Sequence, residues 1–341
     1  MASDAGRRVT TSDIARSLGV SRATVGYVLN QTPGQTISED TRQRVLAEAA
    51  RLGYRPHVAA RALASGRSRI VLLVLPDWPL DFNLRRNIEE ASLALDEAGY
   101  ALITYTPHAT GHARPLWETL QPDLVMSMTS FTPDQVSGIR AAGVTRIIPD
   151  PDAPPIAEYR EEGPGLQVQH LVDLGHTRSA FAGSADPRVA DLVAMRQHGA
   201  QDAAAELGTP LVSTALVDLN DDSTAPVVTR WLDEGVTGIV AYNDDVAAAL
   251  VGAALRLGVP VPQRLAVIGH DDTPLASTFQ PRLSTVHVDI VGLGRYFAQL
   301  ALSAIEGRPA PDAGPVLHST LMPRESTVLP PADSASWPTD R

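Results

Sequence analysis

Twenty residues, Thr11 to Asn30 (TSDIARSLGVSRATVGYVLN), leave this chain few choices of fold near its start. Small or apolar residues at Ile14, Ala15, Leu18, Val20, Val25, Val28 and Leu29 have the spacing that seals one short helix across another. Gly19 falls between the two helices, where a tight turn needs a positive φ that glycine adopts at least cost. Thr10 and Asp13 have the spacing of a capping box for the first helix, and Ser21 is placed to cap the second. Arg22, Ala23, Thr24, Gly26 and Tyr27 then lie on or near the outer face of the second helix. An ordinary helical hairpin shares part of this pattern. The glycine, the alanine four residues before it and the apolar positions together describe a helix-turn-helix, whose second helix enters a DNA major groove.

Charge is divided in a way that agrees with this. Residues 1–69 hold 11 arginines against 5 carboxylates, whereas residues 70–341 hold 17 against 34, so a head of +6 precedes a body of −17. Only the head suits a polyanion. The chain has no cysteine and no lysine, which removes disulfides, zinc-thiolate sites, thiol catalysis, a Walker lysine and a Schiff-base lysine. No apolar run reaches the ~18 residues of a membrane span, and MASDAGRRVT lacks the apolar core of a signal peptide, so the expectation is a cytoplasmic protein.

After a polar turn, Gln31 to Gln35, Ser38 can cap a third helix with Glu39 and Asp40 in its first turn. Val45, Leu46, Ala49 and Leu52 give it one apolar face, and Gly53 is its expected stop. His57 to Arg69 (HVAARALASGRSR) follows, with Leu63 as its one large apolar side chain. It reads either as a linker helix or, more sharply, as a hinge that folds on DNA with Leu63 wedged in the minor groove, and the stretch by itself does not decide between them.

From Ile70 onward apolar strands alternate with helices. Strands are expected at 70–75, 101–105, 124–127, 146–148, 179–182, 215–218, 238–242 and 265–269, with helices at 86–98, 168–174, 189–207 and 246–257 among them. The pattern predicts an α/β body of doubly wound parallel sheets in two lobes. Ligands of such sheets bind beyond the carboxyl ends of the strands. Pro76-Asp77, Asn243-Asp244-Asp245 and Asp271-Asp272 stand at three such ends, a set that suits a hydroxyl-rich ligand, although Asp245 or Asp272 could equally cap the next helix. Arg196 is either a surface charge or the counterpart of these carboxylates. His108 and His112 have metal-ligand spacing but lie in a loop broken by Pro107 and Gly111. No nucleophile elbow, dinucleotide glycine motif or metalloprotease motif is present, and no catalytic residue, metal or cofactor is expected.

Taken in order, VTTSDIARSLGVSRATVGYVLN, ISEDTRQRVLAEAARLGYRP, HVAARALASGRSR, HLVDLGHTRSAFAGS, AYNDDVAAALVGAALRLGVPVPQRLAVIGHDDTPLAS, PRLSTVHVD and LMPRES resemble the lactose repressor/galactose repressor (LacI/GalR) family of bacterial transcription regulators over nearly the whole chain. The resemblance implies a headpiece at 1–56, a hinge at 57–69 and an effector-binding body at 70–330, like a type I periplasmic binding protein, with a disordered tail at 331–341. Lobe one would comprise about 70–161 and 290–320, and lobe two about 162–289 and 321–330. It implies a homodimer reading an inverted-repeat operator in double-stranded DNA, with no tetramerising helix and no membrane partner. Arg22, Ala23 and Tyr27 would choose bases, and Ser21 and Thr24 would hold phosphates, with Thr10 and Asn30 at the edges of the contact. Leu63 would be the minor-groove wedge, with Ala60 and Arg61 beside it. Arg196, Asn243 and Asp271 would touch a small-molecule effector between the lobes, and Asp77, Trp78 and Phe82 would line the same cleft.

Several positions depart from the family pattern. Gly26 replaces a serine, Tyr27 stands where arginine is common, and Trp78-Pro79-Leu80-Asp81-Phe82 replaces the usual Asn-Pro-Phe-Phe. Leu219 takes a common aromatic position, and Tyr159-Arg160 an Asp-Asn. The leading reading is an effector-controlled repressor, not an enzyme, that responds to a sugar or sugar derivative. The alternatives are the same DNA-binding role with a purine, nucleoside or other metabolite as effector or co-repressor, and a sugar-binding or glycoside-processing protein with a vestigial head.

Overall fold

The structure is a computed structural model that describes residues 9–30, 34–54, 67–108, 111–153, 162–221, 223–311 and 319–328. Ala60, Arg61 and Leu63 of the hinge, Tyr159-Arg160 and the 331–341 tail lie outside the described residues.

Three helices form the headpiece: α1 (Thr11–Leu18), α2 (Arg22–Leu29) and α3 (Glu39–Arg51). Each begins where a hydroxyl meets the free amides of a first turn. Thr10 and Asp13 form the reciprocal capping box, Ser21 Oγ accepts from the Thr24 amide at 2.9 Å, and Ser38 Oγ accepts from the Thr41 amide at 3.3 Å. Gly19 closes α1 at φ 67°, its amide donating to the Ala15 carbonyl. Ile14, Val25 and Val45 are fully buried where the three helices meet, and Val28, Ala15 and Ala49 complete the core. Ser17 Oγ donates to Glu48, which also holds Arg51 at 2.7 Å, tying α1 to α3. Leu46 departs from expectation. It is half exposed, because one residue beyond Val45 is about 100° round the helix and points away from that core.

The body holds two parallel four-stranded sheets. In the first, β1 (Ile70–Val74) lies between β2 (Ala101–Tyr105) and β3 (Leu124–Ser127), with β4 (Ile147–Ile148) at the edge. One face is covered by α4 (Phe82–Glu97) and a later helix, through Leu95, Ala298, Ala301 and Ile305. The other is covered by α5 (Leu116–Leu120) and α6 (Pro133–Ala141), through Trp117, Val136 and Ile139. Burial on both faces is why these strands read as near-continuous apolar runs.

The second sheet has the order β6-β5-β7-β8, built from β5 (Ser179–Ser184), β6 (Ser213–Val217), β7 (Gly238–Ala241) and β8 (Ala266–Ile268). Helices α7 (Glu162–Asp173), α8 (Ala190–Glu206), α9 (Thr224–Asp233) and α10 (Asp244–Arg256) and the short α11 (Pro274–Thr278) flank it around a core that includes Phe181, Trp231, Ile239 and Leu250. Then β9 (Thr285–His287) follows, after which α12 (Ile290–Glu306) returns to pack along α4. Gly294 permits that approach, since a Cβ there would lie 2.5 Å from the Asn87 carbonyl oxygen. Finally β10 (Thr320–Met322) pairs antiparallel with β9, and the Val267 amide of β8 donates to Ser326. The chain therefore passes between lobes three times: after β4, after β9 and after α12.

Observed boundaries differ modestly from expectation. The first body helix starts at Phe82 rather than Arg86, because Asp81 caps it by accepting from the Leu84 amide at 2.8 Å. The helix expected at 168–174 begins earlier, at Glu162, and ends at Asp173. Strands β9 and β10 and helices α5, α6, α9 and α12 are not among the elements expected from the sequence, whereas α11 is the helix expected after Asp272.

Candidate DNA-reading helix and interlobe cleft

The outer face of α2 is available to a groove. Ser21, Arg22, Ala23 and Tyr27 are exposed, and Thr24 is half-buried, while Val25 and Val28 on the opposite face hold the helix to the core. Ser21 and Thr24 hydroxyls lie 2.8 Å apart, so both are fixed at the amino end of the helix, where phosphates find free amides and a favourable dipole. Thr10 is exposed at the cap of α1, its hydroxyl donating to Asp13 at 2.7 Å, and Asn30 is exposed at the carboxyl cap of α2. A Cβ added at Gly26 would meet nothing within 4 Å, so the missing side chain leaves open space on the helix rather than a packing requirement.

Between the lobes, groups from both sheets converge. Arg196 of α8 is the counterpart of a carboxylate and not a surface charge. Its Nη2 donates to Asp271 Oδ1 at 2.8 Å and its Nη1 to Oδ2 at 3.2 Å, the two side chains being only 13% and 12% exposed. Arg196 also donates to the Tyr242 carbonyl at 2.8 Å and lies 4.9 Å from the Tyr242 ring centroid. His270 Nδ1 meets Asp271 Oδ1 at 2.8 Å. Burial alone would push the Asp271 carboxyl up, but Arg196 and His270 outweigh it and hold the group well below the usual carboxylate range. Asp271 has φ 98° and Asp272 φ 46°, left-handed backbone that ordinary side chains avoid.

Asn243 caps α10, its Oδ1 accepting from the Val246 amide at 3.0 Å. Asp272 does not cap the next helix; it holds Arg324 at 2.6 Å and faces His287 at 3.2 Å. The most buried carboxylate of the set is Asp244, which the sequence did not single out within its Asn-Asp-Asp triplet. It accepts from Thr285 Oγ1 at 2.6 Å, the Thr273 amide at 2.7 Å and Thr273 Oγ1 at 3.0 Å. Burial pushes its carboxyl up to about 6 despite those bonds. Gly269 makes room for it, since a Cβ there would sit 2.3 Å from Asp244 Oδ1.

From lobe one, Trp78 is half-buried against the apolar core of lobe two, and Asn83 Nδ2 donates to the Asp271 carbonyl at 3.2 Å. Asp77 is exposed and its charge acts on Arg188, which Asp186 holds at 2.6 Å. Phe82 is 38% exposed with Arg85 over its ring. Asn83, Asp81 and Arg188 were missed because their signals are a helix cap and a loop. Only the fold shows that those loops face the other lobe. Leu219 is also exposed, at 48%.

Comparison with known proteins decides the family. Residues 10–57 match the model of bacterial regulatory proteins of the lacI family, and residues 168–327 match a periplasmic binding protein-like domain. The chain is 30% identical over 343 residues to the HTH-type transcriptional regulator GalR of Escherichia coli (strain K12), covering 96% of this chain and 98% of that protein. The chain belongs to the lacI family. It is also 30% identical to the ribose operon repressor of Bacillus subtilis (strain 168), over 93% of this chain and 98% of that one. Its fold is that of the lac repressor dimer bound to operator and the anti-inducer ONPF, at a TM-score of 0.77 and 23% identity, covering 94% of this chain and 100% of that one. This lacI-family chain is thus a transcriptional regulator, not an enzyme, with a DNA-binding headpiece and a two-lobed ligand-binding body. Among the described residues, no helix is long and apolar enough to cross a membrane.

Proposed function

We propose that this regulator is a homodimeric repressor whose two headpieces read an inverted-repeat operator and whose affinity is set by a sugar-like molecule between the lobes. The observation that carries it is the Arg196–Asp271 pair, fixed beyond the carboxyl ends of the lobe-two strands and reached from lobe one by Asn83. A bidentate, largely desolvated ion pair offers fixed donors and acceptors to hydroxyl groups. Asn243 adds an amide, and Trp78 supplies apolar surface beside them. The ribose operon repressor among its relatives and a similar solved structure, the transcriptional regulator CelR–cellobiose complex, carry sugars in their names. In the headpiece, Arg22, Ala23 and Tyr27 take the base-reading positions, and Ser21 and Thr24 the phosphate positions. Leu63 is assigned the minor-groove wedge, with Ala60 and Arg61 at its side. Effector binding changes the lobe arrangement and so the two hinges, coupling two distinct sites.

Selection of binding sites from a random DNA library tests this directly. An enriched inverted repeat with a flexible pyrimidine–purine step at its centre is expected. Enrichment of single half-sites only, or of nothing with and without pooled sugars, would remove the dimeric reading.

A further inference from the structure

Just before the first body strand, the chain is caught by a single carboxylate. Asp123 stands immediately ahead of β3. Its Oδ1 accepts from the Ser68 amide at 2.8 Å and the Ser68 hydroxyl at 3.2 Å, and its Oδ2 from the Arg69 amide at 3.0 Å. Its own amide donates to the Ile70 carbonyl at 2.9 Å. These bonds fall where the proposed hinge at 57–69 meets β1, so Asp123 holds the end of the segment that carries the headpiece. Hydrogen bonds to an ionised acceptor are stronger than neutral ones, and together they fix the direction in which the chain leaves lobe one. The sheet does not need them, because β1 pairs with β2 and β3 through its own backbone.

Arg69 is bent into that clamp. Its φ is 57°, left-handed backbone that a residue with a side chain adopts only at a cost. Its carbonyl accepts from the Ala101 amide at 2.9 Å. Its guanidinium lies against the turn that ends α4, since a Cβ at Gly99 would be 3.1 Å from Arg69 Nη1. A cation is favourably placed at the carboxyl end of a helix. The other end of α4 reaches the cleft, where Asn83 in its first turn donates to the Asp271 carbonyl of lobe two at 3.2 Å. Between those ends run 16 residues, about 24 Å of helix. Ala91 and Leu95 are buried along it, and Glu90 meets Arg295 of α12 at 3.3 Å. A rigid, packed helix of this kind is able to carry coupling between the two places it touches.

We infer that Asp123 and Arg69 are positioning residues for DNA binding: Asp123 clamps the hinge to lobe one, and Arg69 ties that clamp to α4, so that a change at the cleft end of α4 resets the headpiece. This rests on the proposed operator-and-effector reading and names the joint through which it works. Neither residue is assigned to the DNA-reading surface or to the cleft.

The test uses the full chain with the inverted-repeat duplex recovered by library selection and a scrambled duplex of the same composition. Affinities are measured by fluorescence anisotropy for the unaltered chain, Asp123→Ala, Arg69→Gly, Asn83→Ala and the Asn83→Ala/Arg69→Gly pair, with a thermal melt of each. Glycine adopts a left-handed φ freely, so Arg69→Gly removes the guanidinium and leaves the backbone in place. Asp123→Ala should bind the inverted repeat roughly tenfold more weakly. Its affinity for the scrambled duplex and its melting midpoint should not change, since nonspecific binding needs only phosphate contacts. Asn83→Ala should shift inverted-repeat affinity by roughly threefold or more, and the shift should vanish when Arg69 is glycine, whereas unconnected sites simply add. Unchanged inverted-repeat affinity in Asp123→Ala removes the clamp. A parallel loss on both duplexes with a lowered midpoint makes Asp123 a structural residue only, and overturns it equally. Additive effects of Asn83→Ala and Arg69→Gly, or none from Asn83→Ala, overturn the tie through α4. Failure of the unaltered chain to prefer any sequence is failure of the operator reading itself, and the joint falls with it.

Discussion

Asp271 is costly to bury and stays charged only because Arg196 and His270 lie against it. Arg196→Ala should therefore do more than silence the effector response. It leaves the buried carboxylate without its bidentate partner and with His270 alone against it, a change that costs up to roughly 3–5 kcal/mol, so denaturant unfolding of the body should move to clearly lower midpoint. An unchanged midpoint would mean that the pair is open to water in solution. Asp244 has the opposite balance, its carboxyl raised to about 6 from a usual 3.8. A group raised on folding contributes stability that is present below its unfolded value and lost as pH rises through its folded one. The stability of the unaltered chain relative to Asp244→Asn should thus decline from pH 4 to pH 7, by on the order of 3 kcal/mol at most. A flat difference across that range would show that Asp244 does not titrate near 6. At this scale the sequence was only partly legible. Arg196 could be read two ways because its partner lies 75 positions away, and Asp244 was hidden because nothing local distinguishes it from Asp245.

Helices that open with their own cap are legible from sequence because the cause is local. Thr10, Ser21 and Ser38 each satisfy amides within three residues, and all three headpiece helices were read correctly from that signal. Strands β9 and β10 have three residues each and take their partners from distant chain, so no periodicity could reveal them. Gly26 sits mid-helix with open space around its Cα. Gly26→Ala should stabilise α2 by roughly 1 kcal/mol, read as slower amide exchange across residues 22–29; faster exchange would show that the glycine is needed for packing. Gly294 is the contrary case. A Cβ there would meet the Asn87 carbonyl at 2.5 Å and Glu90 Cβ at 2.9 Å, forcing α12 from α4. Gly294→Val should lower body stability by about 1–3 kcal/mol, and a neutral effect in thermal melting would mean that the two helices are not so tightly apposed.

Across the whole molecule, the alternation of strands and helices announced two parallel sheets, and the charge division announced which end meets DNA. What it could not announce is how the lobes share the chain. Lobe one borrows α12 from beyond residue 289, and lobe two borrows β10 and Ser326 from beyond that. A chain ending at Val288 would strip Ala298, Ala301 and Ile305 from the lobe-one core. It should fail to show a cooperative thermal transition for either lobe; an intact transition would mean that lobe two closes without β10. Such sharing also bears on how a gene of this kind can change by exchange of segments. A crossover before Ser68, whose amide and hydroxyl dock on Asp123 at the start of the body, transfers a complete reading head. A crossover anywhere between there and Ser326 delivers part of a lobe without the rest. New pairings of operator and signal are thus far easier to inherit than new pairings of one lobe with another.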